Sequence, residues 1–259
     1  MSENDPREPQ RYGQIIVVGG GCYGGYYVRQ LDRAARAGAV VAERLLVVDR
    51  AAECAVAPAL ASVAMDARLV VRDWRAFFDE YLTTAADAPA AHAHDAIVPS
   101  PLMPHLMGDW LVERARRRFG DGVTRRPFDQ VPRVPWDRAG TDGTHYVSFA
   151  TWTCPINCIE PRTCPHTRDE RTWSLPTRIA DHAREVGERG GHVEVATLHC
   201  RHRAYGVGMF DTAEVLEADA RIREAGDRGT ADVIIGTVSH CHGALTRLII
   251  GERGDSPVG

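Results

Sequence analysis

The chain has 259 residues, 44% of them hydrophobic and 25% charged, with a formal net charge of -4 at neutral pH. That length suits one large α/β domain or two unequal ones, and the ordinary globular composition excludes a wholly disordered or fibrous chain. The acidic balance gives no basic footprint for nucleic acid, with Arg114, Arg116, Arg117 and Arg118 read as a solvated helix face, and the longest apolar runs are too short to span a membrane.

Residues 1–10 are polar and carry Glu3, Asp5 and Glu8 in place of a basic segment followed by an apolar one. No signal peptide is expected, and the protein is assigned to the cytoplasm. In that reducing compartment seven cysteines point to metal binding or redox chemistry instead of a disulfide framework.

Residues 14–18 predict a short apolar strand ending in glycines, and 26–37 a helix with Tyr27, Leu31 and Ala34 on one face. A strand over 45–48, closed by Asp49, and another over 69–71 follow. Asp73 then caps a helix over 73–82, and an Ala-rich stretch over 83–94 reads as a loop. A strand over 96–98 stops at Pro99, Ser100 and Pro101, and a helix fills 102–119. Residues 120–143, with Pro127, Pro132 and Pro135, have little periodicity and read as a boundary or long connection. Beyond it come a strand over 146–150, a Cys/Pro loop, a helix over 177–189, a strand over 193–198, a helix over 212–225 and a strand over 232–238. Strands alternating with helices predict an α/β fold with a mostly parallel sheet. The later strands either extend the first sheet to roughly six or seven strands or build a smaller second unit.

Gly19-Gly20-Gly21-Cys22-Tyr23-Gly24 fits G-x-G-x-x-G between a predicted strand and a predicted helix. The first glycine allows the tight turn, the second lets backbone approach a pyrophosphate, and the third lets helix and strand pack closely. Asp49, at the end of the next strand, is placed to accept hydrogen bonds from ribose hydroxyls. Through Gly19, Gly21, Gly24 and Asp49 this stretch resembles the Rossmann superfamily of NAD(P)- and FAD-binding domains. It is also similar to the nucleotide-binding regulatory domains of potassium transport systems. The resemblance covers roughly the first half. It implies a Rossmann-like, doubly wound, mostly parallel sheet, with residues 1–125 as a dinucleotide-binding unit and 126–259 as a Cys/His-rich α/β unit that binds metal. Gly19, Gly20, Gly21, Cys22, Tyr23, Gly24, Asp49 and Ser100 are the expected cofactor contacts. NAD is preferred over NADP, because Asp49 repels a 2′-phosphate even though Arg50 follows it. His105, near the same strand end, reads as a helix-start histidine that can also face the nicotinamide side.

The segment 154–166 holds Cys154, Cys158, Cys164 and His166 in a proline-rich loop. Three thiols with a distant fourth fit an iron–sulfur cluster, and Cys154, Cys158, Cys164 and His166 fit a structural zinc. The spacing matches neither pattern in full. Cys200 and Cys241 each follow a predicted strand, and Cys200 is preferred as the fourth ligand. His240 and His242 flank Cys241 and lie on one side if the backbone is extended, as a pair able to move protons.

These features predict an NAD(P)-dependent oxidoreductase with a Cys-ligated metal centre, an iron–sulfur cluster ahead of zinc, in which His240 or His242 exchanges a proton with substrate. Its partner is a small-molecule substrate or a redox partner protein, and because a cluster takes no hydride directly, electron transfer from NADH needs a flavin or a partner protein. Neither nucleic acid nor membrane is expected as a partner, and homo-oligomerisation stays open. The alternatives are a non-catalytic nucleotide or redox sensor and a dehydrogenase with a structural zinc.

Overall fold

The structure, a computed structural model, describes residues 8–155 and 158–251. Most of the polar leader expected over 1–10, and Ile156 and Asn157 of the cysteine loop, lie outside the described residues. The chain forms two compact units, Met1–Pro104 with Arg201–Leu216, and His105–Cys200 with Glu217–Gly259. The fold is mixed α/β, with two mixed sheets.

In the first unit the strands are β1 (Gln10–Val18), β2 (Val40–Asp49), β3 (Ala67–Val71), β4 (Ala96–Val98), β9 (Arg201–His202) and β10 (Gly208–Asp211). The sheet order is β3-β2-β1-β4-β10-β9. The first four strands run parallel, and β10 pairs antiparallel with β4 and with β9. Ile15, Ile16 and Val17 of β1 are fully buried. Such a continuous apolar run suits a strand covered on both faces, and each side chain contributes about 2 kcal/mol over an exposed counterpart. Helix α1 (Cys22–Arg36) buries Val28, Leu31 and Ala34 against this sheet, at the spacing of one helical face. It starts earlier than the sequence predicts, because Gly24 and Gly25 lie inside the helix instead of in the turn before it. Helix α2 (Trp74–Asp87) is capped by Asp73, whose carboxylate accepts from the Ala76 N–H at 3.1 Å. It continues through residues expected as loop, since Ala85 is buried one turn beyond Leu82.

The second unit contains helices α3 (Leu106–Phe119) and α4 (Leu175–Glu188) and strands β5 (Val123–Arg126), β6 (Trp136–Ala139), β7 (His145–Ser148), β8 (Glu194–His199), β11 (Ala231–Val238) and β12 (His242–Ile250). Helix α5 (Thr212–Asp227) has its first residues in the first unit and the rest here. The sheet order is β6-β7-β12-β11-β8, and β5 also pairs with β12. Only the β11–β8 pairing is parallel among the pairs of this sheet in the described residues. The mostly parallel sheet expected from chain order is therefore not what these strands form. Sequential neighbours β6–β7 and β11–β12 close as hairpins, which need no crossover helix. Strand β12 was not anticipated at all, although Ala244, Leu245, Leu248 and Ile250 along it are buried. Helix α3 begins at Leu106 rather than at 102, because Pro104 disfavours helical backbone at Met103 before it. Leu175 and Ile179 of α4 pack with Val147, Ile234, Val238 and Leu245 of the sheet as the core beneath that helix.

Candidate functional site

Two clusters of candidate residues emerge, one in each unit. In the first unit, β1 ends at Val18 and the chain turns through Gly19 at φ +87°, a backbone state that glycine adopts without strain. The turn is held by its backbone: Gly19 N–H donates to Val48 C=O at 2.8 Å, and Val56 N–H donates to Gly20 C=O at 3.0 Å. Trp74 lies against Gly19 and donates its indole N–H to Val48 C=O at 2.9 Å. Gly21 occupies the N-cap of α1, with no capping side chain and no acidic residue in the first turn. Within the helix itself, no side chain of the cap or first turn offsets its positive end. The glycines differ in what they permit. A Cβ on Gly24 would collide with the Gly19 carbonyl oxygen, whereas one on Gly21 would meet nothing within 4 Å. Gly24 is required for packing, and Gly21 keeps space clear in front of the helix.

Asp49 closes β2 beside this turn. Its Oδ2 accepts from Gly20 N–H at 2.6 Å and its Oδ1 from Ala51 N–H at 2.9 Å, so it fixes the turn and retains lone pairs on both oxygens. Arg50 pairs with Asp73 at 2.5 Å and lies over the Trp74 ring. Cys22 and Tyr23 open α1, with Cys22 exposed. Ser100 is buried, and its Oγ accepts from Leu102 N–H at 3.3 Å, which leaves the hydroxyl proton to donate elsewhere. His105 belongs instead to the second unit, buried between Thr237 Oγ1 at 3.2 Å and Thr246 Oγ1 at 3.0 Å. Gly108 makes room for its ring. Burial pushes the His105 imidazole down to about 4, and it stays neutral.

In the second unit, the loop between β7 and α4 carries the cysteines. Cys164 sits in a short backbone-bonded excursion: its N–H donates to Asp169 C=O at 2.9 Å, and Arg168 N–H donates back to its C=O at 2.8 Å. The Thr167 backbone N–H above all, then that of His166, the Thr167 hydroxyl and the Arg171 cation hold the Cys164 thiol below its ordinary value. Donors converging on sulfur in this way favour a thiolate, the form that binds metal. Cys154 is pushed up by burial first and then by the nearby Cys158 and Cys164, so the three sulfurs share one neighbourhood. The Trp152 indole opposes that rise at Cys154, although its buried N–H completes no full hydrogen bond. His166 stacks on the Trp152 ring at 4.5 Å.

Glu160, which the sequence reading passed over, organises this loop. Its backbone takes φ 49° and its carboxylate is buried. That carboxylate accepts from Ser239 Oγ at 2.6 Å and from the His240 and Cys241 N–H groups, both at 3.0 Å, with Arg171 at 3.9 Å. It therefore fills the backbone anion cradle at the tip of the β11–β12 hairpin and pins the cysteine loop there. An acid inside a Cys/Pro loop was the available signal. Cys241, at the same tip, receives the Trp173 indole N–H at 3.3 Å, and burial, reinforced by Glu160, pushes its thiol up to about 11. It is held as a neutral thiol. Cys200 leaves β8 with its N–H donating to Val238 C=O at 2.7 Å.

Among the described residues, no three His, Cys, Asp or Glu side chains are placed to share a single metal ion. Holding one zinc would require these side chains to move. Cys164, whose thiol is held below its ordinary value, and the two further thiols nearby are donors of the chemical kind that hold an iron–sulfur cluster.

His240 and His242 do not form the side-by-side pair expected of an extended chain. Residues 239–241 make the hairpin turn, and His242 opens β12. His240 Nδ1 lies 3.3 Å from Ser174 Oγ with its ring edge-on to His199, while His242 Nδ1 lies 3.0 Å from Ser148 Oγ. Ser148 Oγ also lies 2.7 Å from Ala150 C=O, to which it donates.

Residues 107–251 match the model of a family, AF_1314_C, described as an uncharacterized protein, C-terminal domain. The chain belongs to this family. No curated protein and no solved structure matches the chain. The AF_1314_C match takes in the cysteine loop, Glu160 and the β11–β12 hairpin, and begins after the glycine turn at 19–24.

Proposed function

We propose that the chain is an NAD(P)-dependent oxidoreductase whose first unit is a Rossmann-like dinucleotide-binding unit and whose second carries a thiolate-ligated metal centre, an iron–sulfur cluster. The observation that carries this reading is the glycine turn. An uncapped helix N-terminus with open space at Gly21 lies beside a strand-end carboxylate, in a sheet whose parallel part runs β3-β2-β1-β4. In that strand order ligands bind outside the carboxyl ends of the strands where the order reverses, which is between β1 and β4. The α1 N–H groups receive the pyrophosphate, and Asp49 accepts from the adenosine ribose. Ser100, following β4, has a hydroxyl proton to offer on the other side of the crevice. Asp49 also selects NAD over NADP, since Arg50 is engaged by Asp73 and does not offset the repulsion between two anions. Bound dinucleotide would supply a two-electron carrier, and a cluster on Cys154, Cys158 and Cys164 a one-electron one. Cys200 is the proposed fourth ligand, because Cys241 is held protonated.

A second reading, a non-catalytic redox sensor, is favoured by the histidines. His242 Nδ1 lies 3.0 Å from Ser148 Oγ and His240 Nδ1 lies 3.3 Å from Ser174 Oγ, hydroxyls that position an imidazole without raising its basicity as a carboxylate would. Protein purified without oxygen separates the two. Visible absorption that bleaches with dithionite, together with NADH-dependent reduction of an artificial acceptor, is expected for the oxidoreductase. NAD binding without turnover on any acceptor would favour the sensor, and colourless protein after iron and sulfide reconstitution would remove the cluster.

A further inference from the structure

Apart from both clusters, the second unit contains a cleft of about 290 Å³ between α4, the segment before β6 and the ends of β11 and β12. A second hollow continues it along α4, and the two share Gln130, His182 and Arg189. Val186, Val193, Ile234 and Phe128 give the cleft an apolar wall.

Its charged groups are unevenly matched. Arg247 bridges Asp232 at 2.7 Å and Asp129 at 2.6 Å, and Glu185 is taken by Arg178 at 2.5 Å. Every acid lining the hollow thus has a cation, but Arg189 and Arg133 form no ion pair among the described residues. Between them stands His182, which is only 5% exposed, lines both hollows and makes no hydrogen bond among the described residues. His182 lines the open space of both hollows, where water or a ligand can complete its ring nitrogens.

We propose that this cleft binds a small organic carboxylate with an apolar tail. The carboxylate lies between Arg133 and Arg189 and accepts from a ring nitrogen of His182, and the tail lies along Val186, Val193 and Ile234. Guanidinium forks suit a planar carboxylate, and the volume suits a chain of a few carbons. An amine of the same shape would meet two uncompensated cations and is excluded.

In the unliganded protein burial, followed by the Arg178 and Arg189 cations against Glu185, holds the His182 imidazole below its ordinary value. A bound anion reverses part of that, so proton uptake should accompany binding, and affinity should rise as pH falls toward 6.

The test titrates hexanoate, with hexylamine and hexanol as controls, into the full-length protein while the histidine ring nitrogens are followed by NMR. The expected result is a saturable shift at His182 toward the protonated form with hexanoate only. The affinity should fall about tenfold in Arg189→Gln and further in Arg133→Gln/Arg189→Gln, both exposed positions whose melting should be unchanged. No saturable shift at His182, an equal response to hexylamine, or undiminished binding in the double variant would overturn the proposal.

Discussion

At the scale of single residues, the chemistry of the second unit depends on groups that hold other groups in place. Glu160 satisfies three donors at the hairpin tip with one buried carboxylate. Glu160→Ala leaves those donors unmet beside an uncompensated Arg171, at a cost of about 3 kcal/mol. Chemical denaturation followed by Trp173 fluorescence should report that loss, while Glu160→Gln should recover part of it. His105 gives a pH signature of a different kind. Its folded pKa is depressed to about 4 from an ordinary value of 6.5. Above 6.5 the imidazole is neutral in both states and the folded protein keeps its full stability. As pH falls from 6.5 to 4 the unfolded chain takes up a proton that the folded one refuses, removing about 2 kcal/mol by pH 5. Urea unfolding at pH 7 and pH 5 should show this difference, and it should shrink in His105→Asn. A single histidine before a helix carries no mark of such burial in the sequence, because the threonines that enclose it come from residues 237 and 246. Cys164 was legible as a candidate thiolate from its loop. The N–H groups that promote it became visible only in three dimensions.

At the scale of elements, β1, the glycine turn and α1 form one device in which two glycines have separable duties. Gly24→Ala should destabilise the first unit and lower its melting temperature by several degrees, because the new methyl meets the Gly19 carbonyl. Gly21→Ala should leave melting unchanged and weaken dinucleotide binding. Circular dichroism melts and binding titrations on the two variants check this contrast. The strand, turn and helix could be read in advance, since they are contiguous and Gly19 and Gly24 have steric reasons. The β11–β12 hairpin could not. His240, Cys241 and His242 look like an extended cluster in sequence, yet they sit at a turn whose shape is set by Glu160, some 80 residues earlier. The strand order of the second sheet was hidden for the same reason, as antiparallel and parallel pairings draw on similar apolar runs.

At the scale of the whole molecule, chain order and spatial membership diverge. Helix α3 follows β4 in sequence but belongs to the second unit, while β9 and β10 return to the first. The match to AF_1314_C, residues 107–251, covers most of the second unit together with β9 and β10. Among the described residues, no helix is long and apolar enough to cross a membrane. Under the proposed function, NAD and the metal centre should protect different segments, one in each compact unit. NAD should slow amide exchange in β1, α1 and the end of β2 while leaving the 158–171 loop unchanged. Iron and sulfide reconstitution should do the reverse. Hydrogen-exchange mass spectrometry on the full chain distinguishes this from a uniform response.

The most direct measurement is calorimetric titration of NAD into the wild-type protein and into Gly21→Val. A single saturable site in the wild type, lost at least tenfold in a variant with unchanged melting, is the expected result. No heat of binding at millimolar NAD, or equal affinity in Gly21→Val, would contradict a dinucleotide held at the start of α1.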